Sequence, residues 1–321
     1  MQGVEPEYTQ RSKEAGRKVR EKLEARLFNV DFEFQGSVMT NTNIKGYSDI
    51  DLLTICNNFY TFDRDGISSM LNNMTRITQL NRFQIGRLQR ASEGGGYTKG
   101  LSDLRSLRID SEEILRLHYS YVDISKPKSI IVSMTNPKRN VDVVIANWYK
   151  NSDYYIEDDN KYLGVNIFVK GSSENEDKVL KPDFPFLSIS RINDRDSDVN
   201  GRLKKMIRFL KTVKGDSGQS KSIELSSFDF NAICYDIDTS QYRYQTYLEL
   251  VLTIYGQLND LATNPVHRYS LKSVDGHELI FITEDGSENT KKVHSLKRML
   301  EEVRTIIQDI EEKSRNLKEA V

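Results

Sequence analysis

The sequence predicts a two-lobed fold of the α/β (α+β) class: a mixed sheet preceded by an N-terminal helix, then a mostly helical C-terminal lobe. Three observations predict it. Two apolar runs in the first half, residues 50–56 and 141–145, have the character of buried strands, and each carries a carboxylate where burial makes one costly. From about residue 201 onward, apolar residues recur at helical spacing in successive segments. Between these halves, residues 150–195 are polar, rich in Asp, Asn and Ser, and punctuated by Pro182 and Pro185. A lobe boundary near the end of that stretch divides the chain into residues 1–187 and 188–321, and 321 residues suffice for two lobes with a sizeable core.

Taken in order, Ala15, Val19, Leu23 and Leu27 recur every four residues among Lys, Arg and Glu and predict an amphipathic helix over 5–27. Strands are expected over 32–34 and 49–55, joined through a turn region at Gly36-Ser37. Helices are expected over 66–89 and 102–119, flanking the loop Glu93-Gly94-Gly95-Gly96-Tyr97-Thr98-Lys99-Gly100. That loop is a surface loop and not a phosphate-binding P-loop, because Leu101 follows Gly100 where Lys-Ser/Thr would be required. Strands over 129–134 and 140–148 are linked by the turn Asn136-Pro137-Lys138-Arg139. In the second half, a basic helix spans 201–214, an apolar segment 225–235, a helix 242–261, a hairpin 269–282 around Asp275-Gly276, and a long helix 290–319.

Composition narrows the function classes. Charged residues make up 29% of the chain but nearly cancel, for a net charge of −1, so overall charge does not announce a nucleic-acid binder. The two cysteines, Cys56 and Cys234, both sit in apolar runs, which argues against a disulfide framework or a cysteine zinc site. His118, His267, His277 and His294 are scattered without ligand spacing. No apolar run approaches a membrane span and the N-terminus has no apolar leader region, so a cytoplasmic location without membrane partners is expected.

The chemistry concentrates at Gln35-Gly36-Ser37 and Ser48-Asp49-Ile50-Asp51. In a strand, residues i and i+2 share a face, so Asp49 and Asp51 project side by side, as a hard cation such as Mg²⁺ requires of its oxygen ligands. Asp-x-Asp also occurs at Asp63/Asp65, Asp194/Asp196, Asp196/Asp198 and Asp236/Asp238, where solvated loop carboxylates are the ordinary explanation. The first pair differs because it opens a run that should be buried. Asp142, embedded in Val141-Asp142-Val143-Val144-Ile145, supplies a third carboxylate. A salt bridge to Lys138 or Arg139 is the structural alternative to a second strand delivering Asp142 beside the first pair. Two cations held by three carboxylates can activate a hydroxyl and stabilise a leaving pyrophosphate. Glycine at 36 lets the backbone approach a triphosphate, and Ser37 adds an N–H and a hydroxyl there. On the basic helix, Lys204, Arg208 and Lys211 share one side. A solvated charged face is the ordinary reading for most of these residues.

Together these residues resemble the polymerase-β-like nucleotidyltransferases, whose pattern is Gly-Ser, Asp-x-Asp and a distant strand Asp. More narrowly, the chain is similar to the CD-NTases, the bacterial relatives of cyclic GMP–AMP synthase and oligoadenylate synthetase. Phe34-Gln35-Gly36-Ser37, Val141-Asp142-Val143-Val144, the helix Leu203-Lys204-Lys205-Met206-Ile207-Arg208-Phe209-Leu210-Lys211 and Ser226-Ser227-Phe228 carry that similarity, over roughly residues 10–265. The resemblance implies catalytic and metal-binding roles for Asp49, Asp51 and Asp142, with Asp142 as general base. It implies nucleotide binding by Gln35, Gly36, Ser37, Lys211, Ser227 and Phe228. Phe228 stands where the animal relative carries Tyr, which keeps stacking and removes a phenol hydrogen bond. No Cys/His cluster matches that relative's zinc thumb, so activation by double-stranded DNA is not expected. The implied cofactor is Mg²⁺ in a two-metal site, or Mn²⁺ in its place. The implied substrates are ATP, GTP or pyrimidine NTPs, joined into a cyclic di- or oligonucleotide that signals to an antiphage effector, with the C-terminal lobe closing the nucleotide cleft. Transfer of nucleotides to RNA or protein, or inactive nucleotide sensing, remain the alternatives.

Overall fold

A computed structural model describes residues 3–44 and 50–319, without the side chains of residues 314 and 317–319. The chain divides into two compact units. A sheet unit comprises Glu5–Met39 and Asp49–Ile189, and a helical unit comprises Met1–Val4, Thr40–Ser48 and Ser190–Val321.

The sheet unit opens with α1 (Pro6–Glu24), started by Pro6 in its first turn, where a missing N–H costs nothing. Strands β1 (Val30–Gln35) and β2 (Ile50–Phe62) follow. The single helix expected over 66–89 is instead three: α2 (Arg64–Asn72), α3 (Met74–Ile77) and α4 (Arg82–Ser92). Asparagines divide them. Asn73 caps α3 by accepting from the Arg76 N–H, and Asn81 forms a capping box with Gln84 at α4. Next come α5 (Gly100–His118), β3 (Val122–Asp123), β4 (Ile130–Thr135), β5 (Lys138–Lys150) and α6 (Ser152–Glu157). The loop before α5 is pinned to its surroundings: the Tyr97 ring stacks on Phe59 at 5.3 Å, and its hydroxyl donates to Asp103 at 2.8 Å.

The stretch expected to be irregular contains β6 (Leu163–Val169), β7 (Lys178–Val179) and α7 (Pro185–Asp198). Strand β6 is almost wholly buried despite its polar flanks, and its Asn166 is satisfied by the Leu180 carbonyl at 2.9 Å. Pro185 is the first residue of α7, so it starts a helix where the sequence suggested only a break.

The strand order is β1-β2-β5-β4-β3, with β6 beside β5 and β7 beside β6. Strands β2 and β5 run parallel and the other pairs antiparallel, which makes the sheet mixed. Alternation sorts its residues between two faces. One face carries Ile50, Leu52, Val141 and Val143 against Ala15, Val19 and Leu23 of α1 and Leu115 of α5. The other carries Leu53, Ile55, Val144 and Ala146 with Val165 of β6.

The helical unit contains α8 (Arg202–Asp216), α9 (Ser227–Asp236), α10 (Tyr247–Thr263), α11 (Pro265–Ser270) and α12 (Thr290–Glu319). Leu203, Ile207 and Leu210 of α8, Phe230 and Ile233 of α9, Leu250 and Ile254 of α10, and Leu296 and Val303 of α12 form one apolar core. The hairpin expected over 269–282 reduces to an isolated bridge between Lys272 and Leu279, because α11 takes up its first residues.

Candidate active site

Strand pairing builds the site. Gln35 pairs with Asp51, Asp51 with Asp142, and Asp142 with Ile131, in one row across β1, β2, β5 and β4. Residues in such a row share a face, and neighbouring strands lie about 4.8 Å apart, so Asp51 and Asp142 stand side by side. Both are half-buried at the end of the apolar row Leu53 and Val144. A run of apolar residues thus forms the floor and two carboxylates form the rim.

Gly36 closes this arrangement. Its φ is +85°, a conformation that disfavours side chains. The space a Cβ would fill is occupied by Asp51 Oδ2. The turn is fixed by the Met39 N–H, which donates to the Gly36 carbonyl at 3.1 Å, and by Val38, buried in the core. Gln35, Gly36, Ser37, Asp51 and Asp142 are therefore gathered at the same end of the sheet. Asp49 lies outside the described residues. Among the described residues, no group of three or more His, Cys, Asp or Glu is arranged to hold a metal. Asp51 and Asp142 supply two carboxylates of a hard oxygen donor set, and the glycine cradle leaves room for Asp51 to present its oxygens. These features fit a divalent cation.

Arg139 and several of the other aspartates have partners elsewhere. Arg139 lies over the Tyr8 ring at 3.8 Å and donates to Ser12 at 3.1 Å, on the α1 side of the sheet. Asp63 caps α2, Asp196 accepts from the Lys204 N–H at 2.9 Å, and Asp238 caps the turn at Ser240. Asp236 Oδ2 meets His267 Nε2 at 2.6 Å, and the Nδ1 of the same ring meets Asp260 Oδ2 at 2.5 Å. The other Asp-x-Asp pairs thus include carboxylates that cap turns or brace helices.

In the helical unit, Lys211 and Ser227 line one cavity of about 190 Å³ together with Ile44, Lys214 and Phe230. The solvated face expected for most of the basic residues of α8 does not form: Arg208 is buried, as is the candidate Lys211, and Lys204, Lys205 and Lys214 are half-buried. Burial, and then the neighbouring Arg208, push the Lys211 ammonium down to about 8. Lys214 donates to the Leu225 carbonyl at 2.7 Å, and burial lowers its pKa as well. Ser226 and Asp229 form the capping box of α9, which leaves Ser227 exposed in its first turn, where backbone N–H groups have no helical partner. Phe228 packs partly buried against the helical core, and the ring in the cavity wall is Phe230. Sequence reasoning missed Ile44, Lys214 and Phe230. Only the chain order of Lys211 and Lys214 hinted at any of them.

Comparison with known proteins identifies the architecture. Residues 190–308 match the family model of the cGAS/DncV-like nucleotidyltransferase C-terminal helical domain. Over 97% of its length the chain is 46% identical to a c-di-GMP synthase of Capnocytophaga granulosa, of which it covers 86%. The chain belongs to the CD-NTase family. Among solved CD-NTases, a STING-associated CdnE c-di-GMP synthase from Flavobacteriaceae sp. matches with a TM-score of 0.85 and 39% identity, over 97% of this chain and 85% of that one. The corresponding Capnocytophaga granulosa structure matches with a TM-score of 0.73 and 41% identity, over 97% and 84% of the two chains. As a CD-NTase, the protein is an enzyme, a nucleotidyltransferase cyclase on a polymerase-β-like fold. Among the described residues, no helix is long and apolar enough to cross a membrane.

Proposed function

We propose that this CD-NTase joins two molecules of GTP into c-di-GMP, with Asp49, Asp51 and Asp142 as the reacting centre. The observation that carries the reading is the row in which Asp51 and Asp142 stand on adjacent parallel strands beneath the Gly36 turn. Three relatives of 40–46% identity that bear the name c-di-GMP synthase support the choice of base.

Asp49 and Asp51 would hold Mg²⁺, with Asp142 completing the set; the bound cations supply charge stabilisation to the transferring phosphoryl group and the leaving pyrophosphate. Asp142 accepts the proton of the attacking ribose hydroxyl. The oxygen forms a bond to the α-phosphorus, and the bond from that phosphorus to the pyrophosphate oxygen breaks. A second such step closes the ring. The Gly36-Ser37 turn offers backbone and hydroxyl donors to the triphosphate. Lys211 and Ser227 bind phosphate, and Phe228 or the neighbouring Phe230 receives a base. The domain division at about residue 187, the cytoplasmic location and the delivery of product to an antiphage effector belong to the same proposal.

Incubating the protein with GTP, ATP and mixed NTPs in Mg²⁺, followed by mass spectrometry, tests it. The expected product is a phosphatase-resistant cyclic dinucleotide of guanosine, absent with Asp51→Asn. A product lacking guanosine, or full activity in Asp51→Asn, would overturn the assignment.

A further inference from the structure

Residues 40–44 form no regular element, yet Thr40, Thr42 and Asn43 are only 4%, 0% and 0% exposed. Irregular segments normally run over the surface, because buried carbonyls and amides require partners. Here α8 supplies them. Arg208 Nη1 donates to the Asn41 carbonyl at 2.7 Å. Lys211 Nζ donates to the Thr42 carbonyl at 3.1 Å and to its hydroxyl oxygen at 3.2 Å. The Thr42 hydroxyl is bonded to that of Thr40 at 2.9 Å. Arg208 and Lys211 are three residues apart and so project from one side of α8. Asn41 is exposed, with φ +55°, a left-handed conformation that Asn tolerates better than most residues.

The position of this segment in the chain gives the arrangement its consequence. Residues 40–44 directly follow the Gly36-Ser37 turn, and Gly36 lies against Asp51 Oδ2. Whatever fixes residues 41 and 42 therefore restricts the chain that leaves this turn.

We propose that Arg208 and Lys211 are positioning residues, a two-pronged latch on the Asn41 and Thr42 carbonyls that holds the chain leaving the Gly36-Ser37 turn at the carboxylates Asp51 and Asp142. The proposal rests on the reading of those carboxylates as the reacting centre. The latch makes α8 responsible for turnover through Arg208, which does not line the cavity of Lys211 and Ser227. It also gives Lys211 a second task besides phosphate binding.

The test compares wild type with Arg208→Ala and Arg208→Lys. Loss of the guanidinium should speed amide hydrogen exchange in residues 41–44 and lower kcat for GTP by about tenfold or more, while affinity for a non-hydrolysable GTP analogue changes by less than about threefold. Arg208→Lys keeps one donor and should retain more kcat than Arg208→Ala, and added methylguanidinium should partly restore the alanine variant. Because Arg208 is buried, exposed Asn41 provides a second route. Asn41→Gly should preserve kcat, and Asn41→Ala, disfavoured at positive φ, should lower it without weakening nucleotide binding. Unchanged exchange in Arg208→Ala, equal losses of kcat and nucleotide affinity, or equal kcat in the two Asn41 variants would overturn the latch. Failure of the functional reading is separate: wild type would then make no cyclic product, while the exchange data would still judge the latch.

Discussion

Replacing Gly36 by Ala perturbs the site by one methyl group. At φ +85° the alanine backbone costs about 1–2 kcal/mol. The new Cβ would fall roughly 1 Å inside ordinary contact with Asp51 Oδ2, so the carboxylate must move by about that amount. A displacement of about 1 Å at reacting groups can cost on the order of 100-fold in rate, or close to 3 kcal/mol of transition-state stabilisation. Gly201 provides the control: its φ is +78°, and an added Cβ there meets nothing within 4 Å. Gly201→Ala should share the stability loss and leave turnover intact. The assay is pyrophosphate release from GTP under saturating Mg²⁺, paired with urea unfolding of each variant. If Gly36→Ala kept wild-type kcat while losing stability like Gly201→Ala, the close approach of this turn to Asp51 would have no catalytic meaning.

Three further outcomes follow from the same structure. Asp142→Asn keeps the shape of the site but removes the proposed proton acceptor, so kcat should fall by about 100-fold or more with little change in folding, as read by product formation and thermal melts. The Lys211 pKa is lowered from 10.5 to about 8 in the folded protein, so between those values the unfolded chain binds more protons and this group's contribution to stability rises with pH. Over the same window Lys211 loses its charge, and affinity for a GTP analogue should weaken by up to about tenfold per pH unit, a dependence that Lys211→Arg should abolish if the analogue still binds. Arg108, fully buried, donates to Glu112 at 2.6 Å and to the Lys126 and Ser129 carbonyls at 3.0 and 3.1 Å. Arg108→Ala should therefore destabilise the sheet unit by about 2–4 kcal/mol in urea unfolding, because the buried carbonyls lose their donor while Glu112 keeps Lys170 at 2.8 Å.

The fold and the pairing of Asp51 with Asp142 in the candidate site are legible because burial leaves a strong mark on strands. An aspartate inside Val141-Asp142-Val143 conflicts with its neighbours, and a conflict in a buried strand points to a site. Strand β6 is not legible because it is buried on both faces and so has no alternation, while Gly164 and Asn166 interrupt its apolar run between polar flanks. The break-up of residues 64–92 into three helices depends on Asn73 and Asn81 acting as caps, which only their hydrogen bonds reveal. On α8 the spacing of Arg208 and Lys211 was visible, but their burial was not. It arises because residues 40–44, well over 100 positions earlier, pack on the same side of the helix. Phe230 could not be told from Phe228 by sequence, since both lie in one apolar segment and only the helical turn decides which faces the cavity.

The central claim is that the carboxylates of β2 and β5 hold the cations that drive nucleotidyl transfer. A crystal structure with Mn²⁺ and a non-hydrolysable GTP analogue tests it directly through the anomalous signal of manganese. The expected result is manganese peaks within coordination distance of carboxylate oxygens of Asp51 and Asp142, with Asp49 as a further ligand. Manganese absent from those oxygens, or held instead at Asp236 and His267, would contradict it.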